Sequence, residues 1–162
     1  MERSRYHYRV MPTAVSEVMD GMRALVDTKF VNQKDRVRLI REIDHVQIEA
    51  DSKALVLALG NLLENALKYA PKETVATVRT GMADGRAVFE VIDQGPGIEA
   101  KERKRIFRRF YQSDSHLSRG HGGCGLGLNI VKHVMSAHGC HIRLDSAPGK
   151  GSRFYFELKV VA

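Results

Sequence analysis

Residues 61–69 read Asn-Leu-Leu-Glu-Asn-Ala-Leu-Lys-Tyr, which predicts a helix with one apolar face and one unusual polar face. At about 100° of rotation per residue, the polar residues share one face: Asn61, Asn65, Lys68 and Tyr69. The opposite face is apolar: Leu62, Leu63, Ala66, Leu67 and Ala70. A solvated helix face normally carries long charged side chains, whereas amide oxygens can bind Mg²⁺ while phosphate oxygens and water complete its shell. The spacing is equally compatible with an ordinary amphipathic helix on which the two asparagines are incidental.

The composition restricts the class of protein. A chain of 162 residues fits one domain and can bury a proper hydrophobic core. No apolar run approaches the ~20 residues of a membrane span, and no signal peptide opens the chain. We therefore expect a cytoplasmic location and no direct membrane insertion of this chain. The two cysteines, Cys124 and Cys140, make no convincing disulfide framework or metal site, which favours a reducing compartment.

The formal net charge of +7 raises the question of a nucleic-acid partner. Its densest source is residues 101–110, Lys-Glu-Arg-Lys-Arg-Ile-Phe-Arg-Arg-Phe. A groove-binding basic helix is one explanation, but a solvated helix face is commoner. Since no zinc-ligand spacing or nucleic-acid motif accompanies the run, we expect no nucleic-acid binding. The charge equally favours a polyphosphate ligand or an acidic partner.

Hydrophobic periodicity and turn signals divide the chain into helices and strands. The predicted helices are 12–29, 52–69 (capped by Asp51-Ser52 and ended by Pro71), 100–109, and 126–138 (closed by Gly139). The predicted strands are 37–43, 46–50, 74–82, 86–92, 141–146 and 153–161. A polar turn is predicted at 32–35, and residues 113–124 are the best candidate for a mobile segment. Because hairpins and helices alternate, we expect an α/β (α+β) two-layer sandwich, with one mixed, mostly antiparallel sheet and about three helices on one face.

Three glycine-bearing segments accompany the 61–69 helix. The first is Asp93-Gln-Gly-Pro-Gly-Ile98, directly after a predicted strand. Gly95 and Gly97 allow the backbone to approach a flat ligand closely, and the Asp93 carboxylate can accept a hydrogen bond from an exocyclic amine. The same residues would also make a good strand-ending turn.

The second segment, Gly122-Gly-Cys-Gly-Leu-Gly-Leu128, opens a predicted helix. Free amide groups at a helix N-terminus favour phosphate. The segment has neither the Walker Lys-Ser/Thr pair nor a clean dinucleotide fingerprint after a strand, so both of those interpretations are disfavoured. The third segment, Gly149-Lys-Gly-Ser152, predicts a hairpin turn.

Together these segments resemble the catalytic ATP-binding domain of sensor histidine kinases. Five elements occur in the family's order and spacing: the N box (61–69), first glycine box (93–98), F box (106–111), second glycine box (123–128) and C-terminal Gly-x-Gly-Ser/Thr-x-Phe element (149–156). The resemblance covers residues 12–162, and residues 1–11 would be a remnant of a preceding dimerisation domain. It implies the Bergerat ATP-binding fold, shared with gyrase B, Hsp90 and MutL.

The resemblance also implies roles toward ATP and Mg²⁺. Asn65 would be the Mg²⁺ ligand, with Asn61 beside it. Lys68 would meet phosphate and Tyr69 the nucleoside, which makes Asn61 and Lys68 the candidate catalytic residues. Asp93 would contact the adenine amino group.

Further positions belong to the same implied ATP site. Gly95 and Gly97 would shape the adenine pocket, while Gly125 and Gly127 bring backbone to the phosphates. The remaining implied contacts are Ile98, Phe110, Gly123, Leu126 and Leu128. The segment between Phe107 and Gly123 would be an ATP lid with Phe107 and Phe110 at its hinge, although plain core packing also explains these two rings.

The polar helix face also bears on transfer against hydrolysis. Gyrase-like, Hsp90-like and MutL-like ATPases carry a water-activating glutamate four residues before the metal-binding asparagine, and here that position is Asn61. An amide cannot act as a general base near neutral pH. Glu64 projects about 60° away from Asn61 around the helix, so it is a poorer candidate. The pattern favours phosphoryl transfer to an external nucleophile.

That nucleophile is not evident in the chain. In the family the phosphoacceptor histidine lies in a separate dimerisation domain and is usually followed by an acidic residue, but none of the seven histidines here is followed by Asp or Glu. We expect the chain to be monomeric alone, to bind Mg·ATP without phosphorylating itself, and to work with that domain and a response regulator. Two alternatives remain: a protein-serine kinase of the anti-sigma-factor type, or a degenerate nucleotide-binding regulator, which Gln112 favours because an arginine is common there.

Overall fold

The computed structural model describes residues 6–107 and 126–161. These contain three α-helices: α1 (Val15–Thr28), α2 (Ser52–Tyr69) and α3 (Leu126–Ala137). The strands are β1 (Met11–Ala14), β2 (Val37–Arg41), β3 (Gln47–Ala50), β4 (Ala76–Ala83), β5 (Arg86–Asp93), β6 (Arg143–Ser146) and β7 (Ser152–Lys159). Short 3₁₀ segments lie at Val31–Arg36, Ala100–Glu102 and Arg105–Phe107.

The main sheet has five strands in the order β2-β4-β5-β7-β6. Only the β2–β4 pair is parallel; the other three pairs are antiparallel. The prediction of a mixed, mostly antiparallel sheet is therefore confirmed. Strands β1 and β3 form a separate two-stranded antiparallel sheet, which the sequence pattern did not predict.

The helices cover one face of the main sheet, and the hydrophobic core lies between the two layers. Strand β7 alternates buried and partly exposed residues, as a strand with one covered face does. Its inward residues include Phe156, which stacks on Phe89 of β5 with ring centroids 5.1 Å apart. Helix α2 lies centrally, packed against α1, α3, β4 and β5. The predicted two-layer sandwich is confirmed.

The other face of the sheet carries a row of alternating charges. Arg79 lies between Glu42 (2.7 Å) and Glu90 (3.0 Å), and Arg153 pairs with Glu90 and with Asp145 (2.9 Å). Glu90 is only 5% exposed, because the two arginines cover it from either side. This charged row explains how the face avoids exposing a broad apolar surface.

Two predicted helices differ from the structure. The helix predicted from residue 12 begins at Val15, because residues 11–14 pair with β3 instead; long-range pairing overrides the local helical period there. The helix predicted over 100–109 is replaced, in its described part, by two short 3₁₀ segments. Lys101 and Arg105 would be like charges one α-helical turn apart, which disfavours an α-helix.

The other boundaries agree closely with prediction. The helix N-cap at Asp51, the β4–β5 hairpin and the helix ending before Gly139 are confirmed. The segment predicted to be mobile, 113–124, lies outside the described residues. Within residues 6–107 and 126–161, no helix combines the length and apolarity needed to cross a bilayer.

Candidate functional site

Helix α2 buries its apolar residues and leaves its polar residues partly exposed, as predicted. The Asp51 side chain caps the helix by accepting a hydrogen bond from the Ala54 amide (3.1 Å). All five predicted apolar residues are buried: Leu62, Leu63, Ala66, Leu67 and Ala70. The four polar residues are partly exposed: Asn61, Asn65, Lys68 and Tyr69. The face that the sequence singled out is therefore accessible to a ligand.

The N-terminus of α3 lies against Asn61. The Asn61 side-chain Nδ2 donates to the Leu57 carbonyl (2.8 Å), which fixes the amide orientation. A Cβ placed on Gly127 would lie 3.2 Å from Asn61 Oδ1. The first turn of α3 thus reaches the polar face of α2, and the two predicted segments meet in space although 66 positions separate them.

Lys68 and Glu64 form part of a small ion-pair network. Glu64 pairs with Lys29 at 3.3 Å and with Lys68, one helical turn later, at 3.7 Å. All three side chains are about a third or more exposed, so the pairs are weak. These two pairs direct the charge of Glu64 at two ammonium groups.

Tyr69 follows Lys68 at the end of the helix, and burial raises the pKa of its hydroxyl.

The donor set on α2 suits a hard cation that brings its own ligands. Asn61 and Asn65 lie one turn apart and are half-buried. Among the described residues, no group of three or more His, Cys, Asp or Glu side chains could hold a metal ion. Amide oxygens together with the oxygens of a polyphosphate and water form a set that Mg²⁺ accepts. The residues present thus fit a magnesium–polyphosphate complex.

Asp93 ends strand β5 on the helix side of the sheet, in phase with buried Val91. Its Oδ1 accepts a hydrogen bond from the Gly95 amide (2.8 Å). Burial raises the pKa of the Asp93 carboxyl above its ordinary value, although hydrogen bonds from the Gly95 and Ser152 amides partly oppose this. A Cβ on Gly95 would lie 3.6 Å from Ala70 Cα, so this loop adjoins the end of α2.

The glycine loop 93–98 also packs directly on the β6–β7 turn. Gly97 has φ +78°, and a Cβ there would lie 2.0 Å from the Ala147 carbonyl oxygen. Gly151 has φ +73°, and its Cβ would lie 2.2 Å from the Asp93 carbonyl oxygen. Since only glycine combines this conformation with such close approach, both backbones depend on glycine.

The β6–β7 turn is the part of the site that sequence reasoning undervalued. Ser146 Oγ accepts from the Ile98 amide and donates to the Gly151 carbonyl, both at 2.8 Å. The Gly149 amide donates to the Pro96 carbonyl (2.7 Å). Ser152, opposite Asp93 in the strand register, reaches the Asp93 carboxylate through its amide. The two glycines of Gly149-Lys-Gly151 were the available signal, but they indicated only a turn.

Asp93 also lines an open cavity of about 410 Å³. Its walls come from the end of β5, the β6–β7 turn, Arg103 and Arg153. Residues of α2 do not line it. The cavity therefore borders the candidate site without containing the polar helix face.

The structure describes only some of the remaining predicted site residues. Phe110, Gly123 and Gly125 lie outside the described residues, and so does the lid segment apart from Phe107. Leu126 opens α3, but only its backbone is described. Phe107 packs edge-on against Phe154, with centroids 6.2 Å apart, which confirms its packing role; its role as a hinge stays a prediction. Ile98 and Leu128 are partly buried and pack against the core.

Known proteins resemble this chain in sequence and in structure. Residues 50–162 match the family described as histidine kinase-, DNA gyrase B-, and HSP90-like ATPases. The sensor-like histidine kinase SenX3 of Mycobacterium tuberculosis is 39% identical over 114 residues, 70% of this chain and 28% of that protein. The phosphate regulon sensor protein PhoR of Pseudomonas aeruginosa is 35% identical over 143 residues, 88% of this chain and 32% of that protein. The solved mycobacterial sensor histidine kinase MprB has a TM-score of 0.76 at 30% identity, covering 94% of this chain and 98% of that chain.

These matches define the family and favour the sensor-kinase branch over the serine-kinase alternative. The chain spans about a third or less of the length of the two curated relatives. It covers nearly all of the solved MprB chain. The chain therefore belongs to the histidine kinase-, DNA gyrase B- and HSP90-like ATPases, as an ATP-binding catalytic domain of the kind found in sensor histidine kinases.

Proposed function

We propose that this domain binds Mg·ATP between α2 and the glycine loop and transfers the γ-phosphoryl group to a histidine on a separate dimerisation domain. This would be the autokinase step of two-component signal transduction. The observation that carries the proposal is the polar face of α2, where Asn61 stands at the position that a water-activating glutamate has in hydrolysing relatives. ATP as the nucleotide is inferred from family membership, and phosphoryl transfer rather than hydrolysis is inferred from this face.

The adenine end of the ligand would lie at the glycine loop. The Asp93 carboxylate is acceptor-only when ionised, so it can receive the exocyclic amine of adenine while keeping the Gly95 amide. Gly95 and Gly97 keep the loop free of side chains, and Ile98 adds apolar surface. Tyr69, half-buried at the end of α2, would contact the nucleoside.

The phosphate end would lie along α2 and the start of α3. Asn65, with Asn61 beside it, would hold Mg²⁺, which neutralises phosphate charge when bound. The Lys68 ammonium would exchange its weak contact with Glu64 for a phosphate oxygen. The backbone amides at Gly125, Gly127 and nearby residues would meet the phosphates at the N-terminus of α3, with Gly123, Leu126, Leu128 and Phe110 completing the site.

Transfer rather than hydrolysis follows from the charges near the phosphates. The Asn61 amide cannot take a proton from water near neutral pH. Glu64 is paired with Lys29 and Lys68, and these contacts direct its carboxylate away from Asn61. The chain's own residues would therefore bind, orient and neutralise the polyphosphate, and the attacking atom would come from another domain.

The partners follow from that chemistry. The phosphoacceptor domain of the same parent protein would bind beside the partly exposed polar face of α2, and a response regulator would later accept the phosphoryl group. Residues 1–11 would connect to that domain. We expect the isolated domain to be monomeric and to work in the cytoplasm, where ATP is supplied.

Nucleotide binding is tested by calorimetric titration with Mg²⁺ and a non-hydrolysable ATP analogue. The unmodified chain should bind, and Asn65→Ala should bind at least about tenfold more weakly. Asn32→Ala, an exposed asparagine in the 3₁₀ segment before β2, is the matched control and should bind normally. Equal affinity in Asn65→Ala and Asn32→Ala would contradict the assignment of Asn65.

The reaction is tested by incubating the chain with radiolabelled ATP. The chain alone should release phosphate very slowly and acquire no acid-labile label. Adding a histidine-containing dimerisation domain of the sensor-kinase type should produce acid-labile, base-stable label on that domain. Rapid ATP hydrolysis by the chain alone would refute the Asn61 argument, and a phosphohistidine on the chain itself would refute the need for a separate acceptor.

A further inference from the structure

The end of α2 has a hydrogen-bonding problem that the sequence creates. In an α-helix the carbonyl of Leu67 would accept from the amide four residues later, but that residue is Pro71, which has no N–H. Ala70 then leaves the helix in an extended conformation. The Leu67 carbonyl is 31 positions from the residue that satisfies it.

Arg36 supplies the missing donors. Its guanidinium Nη1 donates to the Leu67 carbonyl (3.1 Å) and to Gln33 Oε1 (3.2 Å). Its Nη2 donates to the carbonyls of Ala70 (3.3 Å) and Pro71 (3.1 Å), and its Nε donates to the Thr74 carbonyl (3.3 Å). All five donors of the guanidinium are thus used, four of them on main-chain carbonyls.

These carbonyls bracket the part of α2 that the proposed function places beside the nucleotide. Lys68 and Tyr69 lie between Leu67 and Ala70 in the chain, and so between two of the atoms that Arg36 holds. Ala70 in turn adjoins the glycine loop, since a Cβ on Gly95 would be 3.6 Å from Ala70 Cα and 3.7 Å from its nitrogen. Arg36 therefore holds the end of α2, and the glycine loop packs against that end at Ala70.

We propose that Arg36 is a positioning residue for the nucleotide site, acting through the backbone of residues 67–74; this inference rests on the proposed function. The positive charge also complements the partial negative charge at the C-terminus of α2. A lysine could keep that charge, but its single ammonium cannot reach four carbonyls spread over eight residues. The fork geometry of arginine is what the site requires.

Three variants separate positioning from general stability. Arg36→Lys keeps the charge and loses the fork, and Arg36→Ala loses both. Arg38→Ala is the matched control, because Arg38 is exposed on β2 only two residues away. Val26→Ala, which opens a small gap in the core under α1, provides a destabilised protein with an unaltered site.

The measurement is the affinity for a non-hydrolysable ATP analogue with Mg²⁺, well below each variant's melting temperature. A misplacement of ~1 Å can cost ~100-fold in a reaction that depends on geometry, so we expect both Arg36 variants to bind roughly tenfold more weakly. Arg38→Ala and Val26→Ala should bind like the unmodified chain. Guanidinium chloride at non-denaturing concentrations should partly restore binding by Arg36→Ala, while equal sodium chloride should not.

The outcomes distinguish this inference from the proposed function. If the unmodified chain does not bind the analogue, the proposed function fails and this inference falls with it. If the unmodified chain binds and Arg36→Lys binds equally well, only the positioning role is overturned. Suppose that Val26→Ala and the Arg36 variants all lose affinity in proportion to the drop in their melting temperatures. A purely structural role of Arg36 then explains the result, and the inference is wrong. Should Arg36→Ala fail to fold, Arg36→Lys alone decides.

Discussion

Gly97→Ala should separate the glycine loop from the β6–β7 turn and weaken nucleotide binding. Gly97 has φ +78°, and a new Cβ would lie 2.0 Å from the Ala147 carbonyl oxygen, whereas an ordinary contact begins at 3.4 Å. Relief of the clash requires the two backbones to separate by about 1.4 Å if neither bends. The left-handed conformation costs about 1 kcal/mol for alanine, and overpacking costs a further 2 kcal/mol, roughly.

The chain offers a control with the same backbone strain and no clash. Gly149 also has φ +78°, but a Cβ there would meet nothing within 4 Å. Gly149→Ala should therefore lower stability by about 1 kcal/mol, or roughly 2–4 °C in melting temperature, and Gly97→Ala by about three times as much. The difference between the two variants isolates the contact with the turn.

Calorimetric titration with a non-hydrolysable ATP analogue reports the effect on the site. Because the Asp93 carboxylate accepts from the Gly95 amide in the same loop, displacement of the loop should weaken binding by Gly97→Ala at least tenfold, roughly. Binding by Gly149→Ala should stay within about twofold of the unmodified chain, since its added Cβ has open space. Equal stability and equal affinity in the two variants would refute the close packing of loop and turn.

Three further predictions concern parts of the fold around the site. Asp51→Ala should lower the free energy of unfolding by about 1–2 kcal/mol in urea titrations at pH 7. Burial opposes the ionised form of Asp51, but hydrogen bonds from backbone amides lower its pKa overall. The stabilisation is therefore present above the ordinary pKa of 3.8, and the difference in unfolding free energy between the variant and the unmodified chain should narrow as the pH falls below that value. Glu90→Ala should cost about 2 kcal/mol because two arginines lose their contacts with this buried carboxylate and keep only their more exposed partners, Glu42 and Asp145. Glu157→Ala on the same sheet face should cost little, and equal losses would contradict the charged row. Burial raises the pKa of the Cys140 thiol to about 11, so in a Cys124→Ser background its alkylation rate should keep rising to that pH, and a plateau near pH 9 would be inconsistent with the buried thiol.

The features of the fold that the sequence predicted well are those fixed by local chemistry. Asp51 before an apolar-periodic run signals a helix start, and Ala83-Asp84-Gly85 between alternating strands signals a hairpin. Both are confirmed, with Asp84 and Gly85 adopting positive φ. The burial of one side of α2 also follows from its period alone. In each case the residues that decide the structure lie within a few positions of one another.

The failures arise where a distant segment competes with the local pattern. Residues 12–14 fit the helical period of α1, but they pair with β3 instead, and the pairing is completed by a hydrogen bond from Thr13 Oγ1 to the Ala50 carbonyl (2.9 Å). Nothing near Thr13 in the chain indicates that β3 will be its neighbour. The basic run after residue 100 shows the same limit, since Arg103 reaches the Ser146 carbonyl on β6.

For the candidate site, sequence reasoning proposed residues that would touch a ligand, and this assignment stays a prediction; it did not indicate the residues that hold them in place. Asn61, Asn65, Lys68 and Asp93 stand out because their chemistry is unusual for their position. The supporting contacts are ordinary residues made important by topology, such as Ser146, which bonds both the glycine loop and the turn. A hydroxyl or a guanidinium carries no local sign of what it will bond.

The end of α2 makes the distinction concrete. Pro71 predicts that the carbonyl of Leu67 will lack its helical hydrogen-bond donor. The sequence does not predict which donor replaces it. That donor is Arg36, because β2 pairs in parallel with β4 and brings residue 36 beside residues 67–74. The sequence therefore indicates that a hydrogen-bond donor is needed at this carbonyl, and the fold determines which residue supplies it. Buried main-chain groups that a proline leaves without a partner are accordingly good places to search a fold for positioning residues.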